Sequence, residues 1–173
     1  MPSTYTLISS NVLTGSAASV TFSSIPSTYT DLVLRCSVRD SGSSGTSQQQ
    51  VRVRINGSSS AIYSRRNLTG VGSTAASGSG TSNTSIAGFY APDAGATSNT
   101  FNSFEVYIPN YTVSQNRQVS VFNVFENNSS TVNEINATAA LYSDTTAITS
   151  LYIDTVSGLV SGSSFYLYGI KNS

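Results

Sequence analysis

The side chains that could carry chemistry in this sequence are eight carboxylates, eight basic residues and one cysteine, with no histidine. Histidine is the commonest general base and the commonest neutral metal ligand, so a Ser-His-Asp or Cys-His catalytic group and a Cys/His zinc site cannot be built within this chain. Two carboxylates at a suitable separation would still suffice for glycoside hydrolysis. The carboxylates are Asp31, Asp40, Asp93, Glu105, Glu126, Glu134, Asp144 and Asp154.

No motif pairs any two of these carboxylates. Most of them fall at predicted strand ends or in turns, where they typically cap the backbone or face solvent. No loop has the aspartate spacing of a dedicated calcium site, although the pattern leaves calcium binding by loop carboxylates open. The glycine pairs at 70–72 and 78–80 lack a phosphate-loop lysine. We therefore predict no catalytic residue, no metal site and no cofactor, and a non-enzymatic protein.

Four arginines form the first candidate contact site for a partner. Arg52 and Arg54 alternate with apolar residues and share one strand face, and Arg65 and Arg66 follow the next short strand. If the two strands are neighbours, four guanidiniums gather in one patch, and arginine is enriched at protein interfaces. The alternative is that these arginines are solvated surface residues paired with carboxylates.

The second candidate contact site is the aromatic strand at the carboxy terminus. Period-two alternation places Tyr166 and Tyr168 on one face and Phe165 and Leu167 on the other. A strand that is apolar on both sides is either central in a sandwich or packed against another subunit. Tyr166 and Tyr168 are therefore predicted partner contacts, since tyrosine is enriched in interfaces.

The elements that position these residues are short, rich in β-branched and aromatic residues, and bounded by Ser, Gly, Asn or Pro, which predicts strands. Their number and spacing favour an all-β fold, an antiparallel β-sandwich of jelly-roll type, with an immunoglobulin-like sandwich as the alternative. Cys36 lies in an alternating apolar run and is predicted to be buried. The candidate strands are 5–8, 20–25, 32–39, 51–55, 61–63, 104–108, 119–125, 135–142, 148–153 and 165–170.

Two segments interrupt this pattern and are predicted to be surface loops. They are residues 41–50 and a flexible Gly/Ser/Thr-rich stretch at about 68–85. The second could link two domains, but the strands before it are too few to form two packed sheets. Residues 1–173 are therefore predicted to form a single β-sandwich domain.

The charge of the chain excludes some partners. The formal net charge is zero, with eight basic and eight acidic residues, so no field attracts nucleic acid or an anionic membrane. No stretch approaches the roughly 18 apolar residues that span a bilayer, and the amino terminus lacks the features of a signal peptide. We predict neither nucleic-acid nor membrane binding.

Four segments resemble a known group of proteins: YTLI at 5–8, VTFSSIPSTYTDLVL at 20–34, IPNY at 108–111 and GSSFYLYGI at 162–170. They resemble small virion proteins of marine and cyanobacterial tailed phages, and the resemblance runs from end to end. It implies a jelly-roll domain similar to the trimeric tumour-necrosis-factor and C1q heads, a structural or tail-fibre-like role, and no family active site.

The resemblance leads to two expectations for function. The first is a capsid decoration or cement protein, a homotrimer on the outer head surface that contacts the major capsid protein or another virion protein. An attachment region is not expected, because the first predicted strand starts within a few residues of Met1. The alternative is a receptor-binding tip or adhesin of a tail fibre or spike, located at the tail, with the 68–85 loop and other loops at the ends of the sandwich presenting a surface for a host glycan. A carbohydrate hydrolase is a third hypothesis, which the missing histidine and unpaired carboxylates argue against.

Overall fold

The computed structural model describes residues 4–127 and 133–171, and this part of the chain contains twelve β-strands and no helix. Residues 1–3, 128–132 and 172–173 of the predicted domain lie outside the description. With no helix in the described ranges, there is none that could cross a membrane. The strands are β1 Tyr5–Val12, β2 Ala17–Phe22, β3 Asp31–Ser37, β4 Gln48–Ile55, β5 Tyr63–Val71, β6 Thr74–Asn83, β7 Ile86–Pro92, β8 Ser103–Ile108, β9 Arg117–Phe125, β10 Glu134–Tyr142, β11 Leu151–Leu159 and β12 Ser164–Ile170.

The strands form two antiparallel sheets packed as a sandwich, which confirms the predicted all-β, jelly-roll-like fold class. The larger sheet has eight strands in the order β1-β12-β3-β8-β9-β10-β5-β6. The smaller sheet has four strands in the order β2-β11-β4-β7. Every neighbouring pair in both sheets is antiparallel.

The core lies between the sheets and is built by the alternation seen in the sequence. Leu34 and Cys36 of β3, and Val51 and Val53 of β4, are buried, whereas the alternate residues Arg35, Arg52 and Arg54 are more exposed. Each such aliphatic side chain stabilises the fold by about 1.5–3 kcal/mol on burial. Burial also raises the pKa of the Cys36 thiol well above its usual value, so the prediction of a buried cysteine is confirmed.

The prediction of a flexible loop at 68–85 is wrong. Most of these residues lie in an antiparallel hairpin, in which β6 pairs with β5, Leu68 lies opposite Ser77, and the register shifts between Gly80 and Asn83. The turn is two residues long, and its first residue, Gly72, has a φ of 56°, which favours glycine. The side chains of β6 bury little surface. Backbone hydrogen bonds to β5 hold the strand in place, so it can form with few apolar residues.

At one position of β6, packing against a neighbouring strand explains the presence of glycine. A Cβ added at Gly78 would lie 2.7 Å from Oδ1 of Asn67 on β5. The Asn67 side chain therefore favours glycine at position 78. The other predicted loop, residues 41–50, is largely confirmed, since residues 41–47 lie outside the named strands and β4 begins at Gln48.

Candidate binding face

The candidate functional site is the outer face of the eight-stranded sheet, meaning the side that points away from the four-stranded sheet. Strand register aligns one outward side chain from each strand into a central row across all eight strands. The central row consists of Ser10, Tyr166, Arg35, Glu105, Phe122, Ala137, Leu68 and Ser77.

A shallow groove of about 850 Å³ follows part of this row. Its floor includes the small residues Ser120, Ala137 and Ala139, and Phe122 and Leu68 rise beside them. The Phe122 and Leu68 residues are 52% and 62% exposed. Large apolar side chains beside a floor of small ones form a surface that suits a bulky apolar or aromatic group from a partner.

Glu105 lines one border of the groove and forms an ion pair with Arg35 beside it. Arg35 Nε donates to Glu105 Oε2 at 2.7 Å, and the Arg35 guanidinium also lies 5.6 Å from the centre of the Tyr5 ring. The hydrogen bond with Glu105 raises the pKa of Arg35. Tyr5 in turn meets Tyr168 edge to face, with ring centres 6.3 Å apart. Because Arg35 and Glu105 neutralise each other, a partner that covers this face would bury no unpaired charge, which limits the desolvation cost of binding.

Tyr166 and Tyr168 lie on this outer face, half-buried, while Phe165 and Leu167 point into the core. β12 is an interior strand of the sheet, between β1 and β3. The sequence left a choice between a central strand and a subunit contact, and the structure places the strand centrally. Contact of the two tyrosines with a partner stays a prediction.

The predicted patch of four arginines is not formed. Arg52 and Arg54 belong to β4 in the four-stranded sheet, whereas Arg65 and Arg66 belong to β5 in the eight-stranded sheet. The chain crosses from one sheet to the other between these strands, so strands that are adjacent in sequence are not neighbours in space. The prediction failed because it assumed a hairpin between β4 and β5.

Arg52 and Arg54 converge on one carboxylate, Asp154 of β11. Arg52 binds it with two nitrogens, at 2.8 and 2.9 Å, and Arg54 Nη1 lies 3.1 Å from its Oδ2. Arg54 also lies over the Tyr152 ring, 5.3 Å from its centre. Asp154 itself is buried. The two arginines therefore pair with a carboxylate, as the alternative interpretation expected, but the pair is mostly buried and not solvated. They join β4 to β11.

Arg65 and Arg66 point to opposite sides of β5. Arg65 donates to Asn67 Oδ1 at 2.7 Å and packs against Gly88 of β7, where a Cβ would collide with the guanidinium. Arg66 lies on the outer face, lines the groove and donates to the Arg65 carbonyl at 2.9 Å. Of the four arginines proposed as partner contacts, Arg66 is the one that borders the groove.

Several carboxylates hold turns, as their positions in the sequence predicted. Asp40 accepts from the Gly42 amide at 2.6 Å, and Asp144 accepts from the Thr146 amide at 2.7 Å. The bonds from Thr146 lower the pKa of Asp144. Asp31 accepts from the Tyr107 hydroxyl at 2.9 Å. Across residues 4–127 and 133–171, no group of three or more Cys, Asp or Glu side chains could hold a metal ion.

A polar cluster lies between the sheets and was not predicted. Asn123 Nδ2 donates to Glu134 Oε1 at 3.2 Å, Asn102 Nδ2 donates to Asn123 Oδ1 at 2.9 Å, and both amides reach the Tyr90 carbonyl. Burial raises the pKa of Glu134 to about 7. The sequence could have indicated this cluster, because the alternation in β10 places the polar residues Glu134, Asn136 and Thr138 at inward positions.

The sequence did not single out Phe122 and Leu68 either. Phe122 occupies the outward phase of β9, where Val119, Val121 and Phe125 point inward, so an aromatic residue on the solvent side was the detectable signal. Leu68 fell in the segment predicted to be a loop. Its place on the face follows only from the pairing of β5 with β10.

Comparison with protein-family models gives no match, and comparison with curated proteins gives none. Among solved structures, the chain is similar to Scytalido-glutamic peptidase with a peptide-based transition-state analogue, at 11% sequence identity and a TM-score of 0.29. The match covers 91% of this chain, which spans 65% of the peptidase chain. A likeness of this size carries no functional argument.

Proposed function

We propose that this protein is a non-enzymatic structural component of a tailed-phage virion that decorates the outer head surface. The outer face of the eight-stranded sheet is the proposed attachment surface. The observation that supports this most directly is the exposure of Phe122 and Leu68 beside a groove floored by small side chains. Exposed apolar groups with a polar border are typical of protein interaction sites.

The chemistry of the face favours a protein partner. The groove has Arg66 on one side and the Arg35–Glu105 pair near the other, so few charges must be desolvated when it is covered. Buried aromatic and aliphatic anchors surrounded by polar groups supply most of the free energy in protein interfaces. The major capsid protein, or another virion protein, would fill the groove with an apolar side chain.

The virion assignment is supported by the resemblance of the four sequence segments to phage virion proteins. That resemblance includes trimeric jelly-roll heads, and we propose a homotrimer as the assembled form. A trimer would carry three copies of the outer face, related by its threefold axis.

The non-enzymatic part of the proposal is supported by what the carboxylates do. Asp154 binds two arginines, Glu105 binds one, and Asp40 and Asp144 cap turns. Each of these carboxylates therefore has a structural role that accounts for its position.

The alternative is a receptor-binding tip that binds a host-surface glycan. Part of its expected ligand surface was a loop at 68–85, but most of these residues form a β-hairpin. The observation that still favours it is the exposed Phe122 ring beside Ser120 and Arg66, since an aromatic ring with nearby polar groups also suits a sugar.

Binding to particles tests the attachment surface. Particles that lack this protein would be sedimented with the purified parent chain or with the Phe122→Ser/Leu68→Ser variant. We expect the parent to cosediment saturably and the variant to bind at least tenfold more weakly. The matched control is Val113→Ser/Val156→Ser, which makes two equivalent changes at exposed positions outside the eight-stranded sheet. Equal binding by both variants would overturn the proposed surface, and saturable binding to host envelopes instead of particles would favour the alternative.

A further inference from the structure

The outer edge of β6 is unusual for a surface strand. β6 is ten residues long and ends the eight-stranded sheet, with its second backbone edge unpaired within the described part of the chain. It has no charged residue and no proline. Natural proteins usually protect such an edge with charges, prolines or a covering segment, because an open edge pairs with any compatible strand.

The opposite end of the same sheet has a similar edge. β1 is eight residues long, it also lacks charged residues and proline, and its second edge pairs with no strand of residues 4–127 and 133–171. Its pairing with β12 shifts register between Leu7 and Ser9. Two uncharged edges can approach without repulsion and without burying an unpaired ion. Within the described residues, the sheet therefore ends on both sides in an uncharged strand, and such strands can join copies of one chain.

We propose that the β6 edge of one copy pairs with the β1 edge of a second copy, so that the eight-stranded sheet continues across the contact. The inference rests on the proposed function only in taking the homotrimer as the assembled form. A contact between different edges is heterologous, and it closes into a ring when the rotation between copies permits. Three copies would close the ring.

Strand direction supports this pairing. All neighbouring strands in the eight-stranded sheet are antiparallel, so with an even number of strands β1 and β6 run in opposite directions. A contact that continues the antiparallel alternation of the sheet would therefore place β6 and the next copy's β1 antiparallel. The outer face stays on the same side of the sheet across such a contact.

The sizes of the side chains choose between partners for β6. The residues of β6 are small, whereas β1 exposes Tyr5 and Leu7 at 45% and 51%. Leu7 begins and Ser79 ends a second transverse row of the outer face, so continuing this row places Leu7 of the next copy beside Ser79. Pairing β6 with another β6 would set small side chains against small ones and bury less apolar surface.

Disulfide trapping tests the proposal. Leu7 and Ser79 lie seven strand spacings apart within one copy, about 34 Å at the usual spacing of 4.8 Å, so a disulfide between them cannot form inside a chain. We expect Leu7→Cys/Ser79→Cys to give covalent species of up to three chains on mild oxidation. Leu7→Cys and Ser79→Cys alone should stay uncrosslinked, and a mixture of the two should give dimers.

Two results would overturn the proposal. Efficient dimer formation by Ser79→Cys alone would show that β6 pairs with β6, and a monomeric mass for the parent chain at micromolar concentration would show that neither edge pairs. A second variant, Ser77→Lys/Ser79→Lys, should reduce the mass from three chains to one, because it places charges at the contact. Its control, Ser114→Lys/Thr145→Lys, adds the same charge at exposed positions outside the strands and should leave the mass unchanged.

Assembly of the chain and binding to particles can be tested independently. The Phe122→Ser/Leu68→Ser variant should keep the mass of three chains and lose particle binding. A parent chain that assembles and crosslinks as expected but binds no particle would contradict the attachment role and leave the edge contact standing.

Discussion

Phe122 on β9 lies directly opposite Glu105 on β8, so the exposed ring of the binding face borders the carboxylate that Arg35 holds at 2.7 Å. The face therefore combines an apolar anchor with a charge pair that is already satisfied. Since Arg35 and Glu105 bind each other, neither needs a charged group from the partner that Phe122 contacts. This arrangement separates the residues that should affect binding from those that should affect stability.

Phe122→Ala is expected to weaken binding far more than folding. The ring is half-exposed, so its removal should lower the free energy of unfolding by less than about 1 kcal/mol, in the range of surface substitutions. Loss of a central interface anchor typically costs about 2 kcal/mol or more in binding. Urea denaturation and particle cosedimentation measure the two quantities. A large loss of stability with unchanged binding would assign Phe122 to the fold instead of the interface.

Asp154→Asn should destabilise the fold strongly. Asp154 is buried and neutralises both Arg52 and Arg54, and removing one partner of a buried ion pair costs about 3–5 kcal/mol. The matched control is Glu105→Gln, which breaks the exposed pair with Arg35 and should cost less than about 1 kcal/mol. Urea denaturation of both variants gives the comparison. Similar losses would show that the two charge pairs contribute alike.

Glu134 should make stability depend on pH. Its pKa in the folded protein is about 7, against 4.5 for the unperturbed group, so the folded state holds this proton more tightly than the unfolded chain. The contribution is therefore fully present below about pH 4.5 and is lost as the pH rises through 7. At about 1.36 kcal/mol per pH unit, the loss approaches about 3 kcal/mol.

The measurement is the free energy of unfolding from urea titrations between pH 4.5 and 8, compared with Glu134→Gln. The variant cannot titrate at this position, so the difference between the two proteins should change by about 3 kcal/mol across this interval. A constant difference would mean that Glu134 titrates normally in the folded protein.

Gly88→Ala should disturb the contact between the two sheets. Gly88 has a φ of 96°, and an added Cβ would collide with the Arg65 guanidinium. A strained backbone of this kind costs about 1–3 kcal/mol. Gly15→Ala is the control, because its φ is not positive and an added Cβ there meets nothing within 4 Å. Thermal or urea unfolding should separate the variants, and equal stabilities would contradict the role given to Gly88.

The fold class could be predicted from the sequence because the core strands alternate clearly. Val51, Val53 and Ile55 point inward in β4, as the pattern required. β6 could not be predicted in this way, since it buries little and is specified by backbone pairing. The remaining signal was the dipeptide Gly72-Ser73 between extended runs, which is compatible with a two-residue hairpin turn.

The candidate site was harder to predict than the fold. Alternation assigns each residue to a side of its own strand, but it does not say which strands are neighbours. Arg54 and Arg65 were expected in one patch and lie in different sheets, while Phe122 and Leu68 come together only because β10 lies between their strands. Strand order is set by contacts that are distant in sequence, and it decides the composition of the face.

The location of the protein on the virus particle tests the central claim most directly. A cryo-electron microscopy map of the particle should show this sandwich on the outer head surface, with Phe122 and Leu68 against the major capsid protein or another virion protein. Density for the chain at the tail alone, or on the head with the outer face of the eight-stranded sheet turned to solvent, would contradict the account.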